Sequence, residues 1–240
     1  MRILVVNDDG FEAEGLSCLA RVAASYGDVT VVAPSRQCSA MSHRLILRRE
    51  MSLRRLPFPV AEVKEAYSLE GTPADCVKVA LHVLMDPWPD LVLSGVNFGY
   101  NCGFDIAYSA TVAAAIEARM KGIPAIAFSQ EALSCREVRD AYLPELLVKL
   151  IEEDPGPGQI WNVNFPACPL QELRGVSYGQ QVLQDYVFAD AYRVEKQTDD
   201  LCIVTECGEM EEGIIPEGTD LYAVKNRYIS VGRVRGTVFS

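Results

Sequence analysis

The sequence predicts an α/β fold: a Rossmann-like, mostly parallel sheet flanked by helices, with a β-rich C-terminal extension. Three observations carry this reading. Short, predominantly apolar runs alternate with amphipathic stretches over the first 165 residues. Strands apolar throughout are buried on both faces, as in a parallel sheet covered by helices. Beyond about residue 175 the pattern changes to polar–apolar alternation broken by turn residues. The Rossmann-like core is placed at 1–174 and the extension at 175–240, the two forming one domain with an arm.

The elements follow in order. Ile3–Val6 is a short buried run, and Leu16 to Tyr26 is an amphipathic helix ended by Gly27-Asp28. Val29–Ala33 is the second strand. Thr72-Pro73-Ala-Asp75 opens a helix, with a threonine cap, proline at the first helical position and an aspartate reaching back. That helix runs to about Met85 and stops before Pro87. Asp90–Ser94 is a third buried strand, Thr111–Lys121 an alanine-rich helix ended by Gly122, and Ala125–Phe128 a further strand. Val138–Glu153 is helical and Trp161–Asn164 closes the series. In the extension, Leu201–Glu206 and Tyr228–Val234 read as strands, with turns at Gly213, Gly218 and Asn226 and no helix.

Composition narrows the function. The chain has 240 residues, 49% of them hydrophobic, with 22 Lys and Arg against 33 Asp and Glu for a net charge of −11. Most of the acidic surplus lies after residue 120. With no basic stripe to neutralise phosphates along a helix, a nucleic-acid polymer is not the expected partner. No apolar run approaches the roughly 20 residues of a membrane span, and the N-terminus opens directly into a strand. A soluble, cytoplasmic protein is expected. The eight cysteines include no C-x-x-C pair, and they read as small buried thiols in a reducing compartment. His43 and His82 do not combine with these scattered cysteines into a zinc cluster.

In an open parallel sheet, ligands bind beyond the carboxyl ends of the strands. Four such loops hold the polar residues: Asn7-Asp8-Asp9-Gly10, Pro34 to Ser39, Ser94 to Asn101, and Ser129-Gln130. Two adjacent carboxylates ending a buried strand repel each other and lose hydration, a conflict that a divalent cation removes. The neighbours on offer are oxygens from Ser39 and Asn97, a set suited to Mg²⁺ or Mn²⁺. The loop from Gly95 to Asn101 lets backbone approach a ligand closely, and it is neither GxGxxG nor Walker A. Ser109-Ala110-Thr111 starts a helix whose free N–H groups favour an anion. Lys78, Arg36 and Arg44 read as solvated charges, and His43 as a candidate proton donor.

These residues resemble a known family. Met1-Arg-Ile-Leu-Val-Val-Asn-Asp-Asp-Gly10, Gly71-Thr-Pro-Ala-Asp-Cys76, Ser94-Gly-Val-Asn-Phe-Gly-Tyr-Asn101 and Tyr108-Ser-Ala-Thr111 are similar to the SurE family of metal-dependent 5′-nucleotidases. Gly122 to Ser129, Asn162 to Pro166 and Gly218 to Tyr222 fit the same pattern in the same order. The resemblance implies one divalent metal per subunit on Asp8, Asp9, Ser39 and Asn97. It implies phosphate binding by Asn97, Asn101, Ser109 and Thr111, with Asp8, Asp9 and Asn101 in the catalytic role. It further implies hydrolysis of nucleoside 5′- and sometimes 3′-monophosphates, polyphosphate for some members, and dimers or tetramers built through the C-terminal arm. Three positions depart from the family pattern: Ala110 and Ala40 where glycine is usual, and Phe104 where an acidic residue is usual. Water and an aspartate both remain available as nucleophile. A non-catalytic nucleotide-binding protein and a polyphosphate-directed phosphatase are the alternatives, and a signalling receiver is disfavoured because no later strand ends in an acceptor aspartate.

Overall fold

The computed structural model describes residues 1–208 and 213–236. Its centre is a nine-stranded sheet. β1 (Arg2–Val6) is joined through α1 (Glu14–Ala23) to β2 (Asp28–Pro34). β3 (Leu53–Arg55) and β4 (Glu65–Leu69) follow, then α2 (Pro73–Val79), a single π-helical turn at Ala80–Leu84, and β5 (Leu91–Phe98). A 3₁₀ turn at Gly103–Tyr108 leads into α3 (Ala110–Met120), β6 (Ala125–Gln130), α4 (Glu137–Glu152) and β7 (Gln159–Phe165). The remaining elements are β8 (Gly175–Gln180), β9 (Tyr192–Gln197), β10 (Cys202–Glu206), α5 (Asp220–Lys225) and β11 (Tyr228–Arg235).

The strand order is β3-β4-β2-β1-β5-β6-β7-β11-β8. Strands β4, β2, β1, β5, β6 and β7 are mutually parallel, while β3 and β11 pair antiparallel with β4 and β7. Successive residues of β1 enter opposite cores, Ile3 and Val5 packing with α1 and α4 and Leu4 and Val6 with α2 and α3. That two-sided burial is why the strand carries no polar alternation. The chain leaves β1 toward β2 on one side and returns to its other side with β5, so a topological switch point falls between β1 and β5.

The α2 start forms as its sequence predicts: the Thr72 hydroxyl accepts from the Asp75 N–H, and the Asp75 carboxylate accepts from the Thr72 N–H at 3.0 Å. Within the extension, β8 and β11 complete the main sheet, and among the described residues the β9–β10 hairpin stands apart from it. Two readings are corrected. The extension contains a helix, α5, capped by Thr219; at six residues it is too short for periodicity to reveal. Finally, Cys202 and Cys207 are exposed, whereas Cys18, Cys38, Cys76, Cys102 and Cys168 are buried; all eight cysteines are free thiols. β3, β4, β8 and β9 carry no clear sequence signal and are additions to the predicted set. Among the described residues, no helix is long and apolar enough to cross a membrane.

Candidate active site at the β1–β5 switch point

Asp8 and Asp9 follow β1, and the two strand-end loops around them close on the Asp8 backbone and the Asp9 carboxylate. The Cys38 N–H donates to the Asp8 carbonyl at 2.7 Å, which brings in the loop carrying Ser39. From the other side, the Phe98 N–H at the end of β5 donates to Asp9 Oδ2 at 3.0 Å. Asn97 donates its own amide N–H to the Gly99 carbonyl at 2.9 Å, so its Oδ1 is left without a protein donor among the described residues. Gly95 permits this loop geometry: its φ is +129°, and a Cβ there would sit 2.2 Å from the Phe128 carbonyl oxygen. Ser39 is exposed and accepts from the Gln37 side chain at 2.9 Å.

Asp8 is buried, 3% exposed, and meets the start of α3: the Thr111 hydroxyl donates to Asp8 Oδ1 at 2.5 Å. The Thr111 side chain is thus aimed at a carboxylate. Burial pushes the Asp8 carboxyl up to about 7; the Thr111 hydrogen bond opposes the shift and the Asp9 charge adds to it. Burial also raises Asp9, against the Phe98 N–H. Ser109 caps α3, its Oγ accepting from the Val112 N–H at 3.0 Å, which leaves the hydroxyl hydrogen free to donate.

Asn101 is held from three sides. Its Nδ2 donates to Ser129 Oγ at 2.6 Å, its backbone N–H donates to Asn164 Oδ1 at 2.8 Å, and its carbonyl accepts from Nδ2 of Asn162 and of Asn164. Asn162 and Asn164 stand out in the sequence only as amides inside an otherwise buried strand, each obliged to find partners. Asn101 is thus held by a strand 61 to 63 residues further along the chain. Sequence reasoning also passes over Glu117, a buried carboxylate on α3 that accepts from Lys78 Nζ at 3.2 Å and lies 2.8 Å from His43 Nε2. The His43 contact, followed by the lysine, holds Glu117 below the usual carboxylate range against the opposing effect of burial. Lys78, expected to be a solvated charge, is therefore paired with a buried group.

The departures from the family pattern separate by backbone. Ala110 has no left-handed φ and sits in the first turn of α3, so a methyl fits there. Ala40 has a φ of +56°, a conformation that favours glycine. Ala40→Gly is expected to raise stability by about 1 kcal/mol, checked by denaturant unfolding; a loss of stability would contradict it. Phe104 is 40% exposed and packs edge to face on Tyr186, ring centroids 5.4 Å apart. Asp105 accepts from the Val187 and Phe188 N–H groups.

Among the described residues, no three His, Cys, Asp or Glu side chains form a metal-binding group. A cation at Asp8 and Asp9 would therefore draw on neutral oxygens, and Asn97 Oδ1 has no protein donor among the described residues.

The family model for the survival protein SurE matches residues 3–187. A 5′-nucleotidase SurE of Geobacter metallireducens is 39% identical over 236 residues, covering 96% of this chain and 90% of the relative. That of Carboxydothermus hydrogenoformans is 38% identical over 242 residues, covering 96% and 89%. The crystal structure of the SurE protein from Aquifex aeolicus superposes with a TM-score of 0.82 at 32% identity, covering 98% of this chain and 93% of that one.

Proposed function

The chain belongs to the SurE survival-protein family, and on that basis we propose that it is a divalent-metal-dependent phosphomonoesterase. Its substrates are nucleoside 5′-monophosphates, with 3′-monophosphates as a second class, and its products are nucleoside and inorganic phosphate. The observation that carries the reading is the adjacent Asp8–Asp9 pair at the switch point, where burial raises both carboxyl pKa values. A bare pair of this kind opposes an anionic substrate, so the chemistry calls for positive charge between them.

Asp8, Asp9, Ser39 and Asn97 would hold one Mg²⁺ or Mn²⁺ per subunit, an all-oxygen set matched to hard cations. Bound there, such an ion supplies positive charge against the phosphoryl oxygens and makes water more acidic. The chain's own groups do the rest. Ser109 offers a hydroxyl donor, and Asn101 retains one N–H beyond its bond to Ser129. The N-terminal end of α3, where Ser109 caps the Val112 N–H, adds the positive end of a helix dipole. Thr111 fixes the orientation of Asp8, the carboxylate on which the site depends. Held in place before substrate arrives, these donors stabilise charge that builds in the transition state.

A panel of nucleoside 5′- and 3′-monophosphates assayed for phosphate release with Mg²⁺, Mn²⁺ or chelator tests the proposal. Release that depends on the metal and stops with chelator is expected. No release with any metal and any nucleotide would overturn it in favour of a binding protein.

Self-association is part of the same proposal. Every residue of β9 and β10 is exposed, Tyr192, Val194, Ile203 and Val204 among them. An isolated two-stranded hairpin is marginal in water, and apolar side chains on an unpaired ribbon call for a covering surface. A second copy of this chain, forming a dimer or tetramer through the arm, supplies it. Deleting residues 191–207 is expected to leave a monomer by light scattering where the full chain is an oligomer; an unchanged mass would count against the arm. The buried free thiols support a reducing, cytoplasmic setting.

A further inference from the structure

Beside the Asp8–Asp9 pair lies a pocket of about 370 Å³ lined by Ser35, Arg36, Cys38, Arg44, Glu70 and Thr72, among others. It opens over the ends of β2 and β4, one strand across from β1. A second groove, about 680 Å³, shares Ser35, Arg36 and Glu70 with it and has Asp9 in its wall. The two spaces thus run on from the candidate catalytic carboxylates past Arg36 to Arg44. Backbone contacts keep that connection short: Cys38 in the pocket bonds the Asp8 carbonyl, and a Cβ on Gly10 would touch the Arg36 carbonyl carbon at 3.4 Å.

The charge there runs against that of the whole chain. Residues 36–55 hold six arginines and one acidic residue, Glu50, in a protein of net charge −11. Arg54 and Arg55 are matched to Glu70 at 3.9 Å and Glu65 at 2.8 Å. Arg36 and Arg44 are exposed and pair with no carboxylate among the described residues. Glu70 faces the same space, with Arg54 as its cation. Two unmatched guanidinium groups in a walled pocket make a receptor for an anion, and guanidinium is the side chain best shaped for phosphate oxygens.

We propose that this pocket binds a second phosphate of the substrate, one that is not hydrolysed, so that nucleotides carrying two separate phosphate groups, such as nucleoside 3′,5′-bisphosphates, are preferred over monophosphates. The substrate preference rests on the phosphomonoesterase reading above; the anion site stands on the pocket alone. In the bound substrate, the phosphomonoester to be cleaved lies at Asp8 and Asp9 while the other phosphate lies between Arg36 and Arg44.

Two measurements test it. In the first, inorganic pyrophosphate is titrated calorimetrically into the chelator-treated protein. Binding is expected, weakened roughly tenfold or more by Arg44→Gln or Arg36→Gln and unchanged by Arg55→Gln, which lies outside the pocket. In the second, kcat/KM is compared for adenosine 3′,5′-bisphosphate and AMP with metal present. The ratio is expected to favour the bisphosphate by roughly tenfold and to fall toward one in the Arg44→Gln protein. Pyrophosphate binding that is absent, or that ignores Arg36 and Arg44, overturns the site. A ratio near one in the unsubstituted protein overturns the substrate preference. Should neither nucleotide be hydrolysed while the arginine-dependent binding is present, the phosphatase reading fails and the anion site stands.

Discussion

Replacing Asp8 with asparagine is expected to abolish metal-dependent turnover and, at the same time, to make the metal-free protein more stable. The two effects have one cause. Burial, with the Asp9 charge added and the Thr111 hydrogen bond opposing, pushes the carboxyl pKa from 3.8 to about 7. A carboxyl raised on folding stabilises the fold fully below its unfolded pKa, and that contribution is lost as pH rises through the folded value. In chelator, stability should therefore decline between pH 4 and 7. Such a shift corresponds to roughly 4 kcal/mol in a buried group. The asparagine has the same shape, keeps an acceptor for the Thr111 hydroxyl and carries no charge. At pH 8 in chelator it should unfold at a temperature roughly 10 °C higher than the parent, and at pH 4 the two should coincide. Turnover should fall by roughly a thousandfold, since several kcal/mol of transition-state stabilisation are withdrawn. Thermal unfolding in chelator across this pH range, with phosphate release at saturating Mg²⁺, measures both. Full activity in the variant would remove Asp8 from the site. Equal stability at pH 8 would show that the carboxylate carries no electrostatic strain in the fold.

The sequence made the central sheet easy to read because its strands are buried on both faces. Ile3–Val6 and Ala125–Phe128 are apolar at every position and Val29–Ala33 at all but Thr30, and the threonine, proline and aspartate at 72–75 announce a helix by side-chain chemistry that the structure reproduces. The elements that escaped are those whose signals are short or supplied by tertiary contacts. β3 spans only three residues, and α5 is a six-residue helix on a threonine cap. At the candidate site, the strand-end rule and the family resemblance both led to Asp8, Asp9, Ser39 and Asn97. What neither disclosed is the layer behind them. Thr111 read as a phosphate ligand, yet its hydroxyl is directed at Asp8. Glu117 drew no notice in the sequence, yet it is 2% exposed and gathers His43 and Lys78. Such roles depend on which residues face one another across α2, α3 and the loop after β2, information that periodicity along one segment does not hold.

Asn164 is the sharpest case of this hidden layer, and its truncation should show as a loss of turnover without a loss of metal. The side chain is fully buried on β7 and treats Asn101 as a neighbouring strand would: Oδ1 accepts its N–H at 2.8 Å and Nδ2 donates to its carbonyl at 3.1 Å. Asn164→Ala removes both bonds. The carbonyl keeps Asn162 at 2.9 Å, but the N–H of a buried residue is left unmatched, at a cost of about 1 to 3 kcal/mol. The loop from Gly99 to Gly103 can then drift, carrying the Asn101 amide away from the phosphoryl oxygens. A displacement of about 1 Å at a reacting centre lowers rate by roughly a hundredfold. Asn101 and Asn164 are not among the four residues assigned to the metal, so the metal concentration that half-restores activity after chelation should not change. The expected result is thus a kcat reduced by roughly tenfold to a hundredfold with an unaltered metal requirement. A protein merely loosened as a whole would lose metal affinity and activity together. An Asn164→Ala enzyme with unchanged kcat would mean that Asn101 needs no such support, or does not act on the phosphate at all.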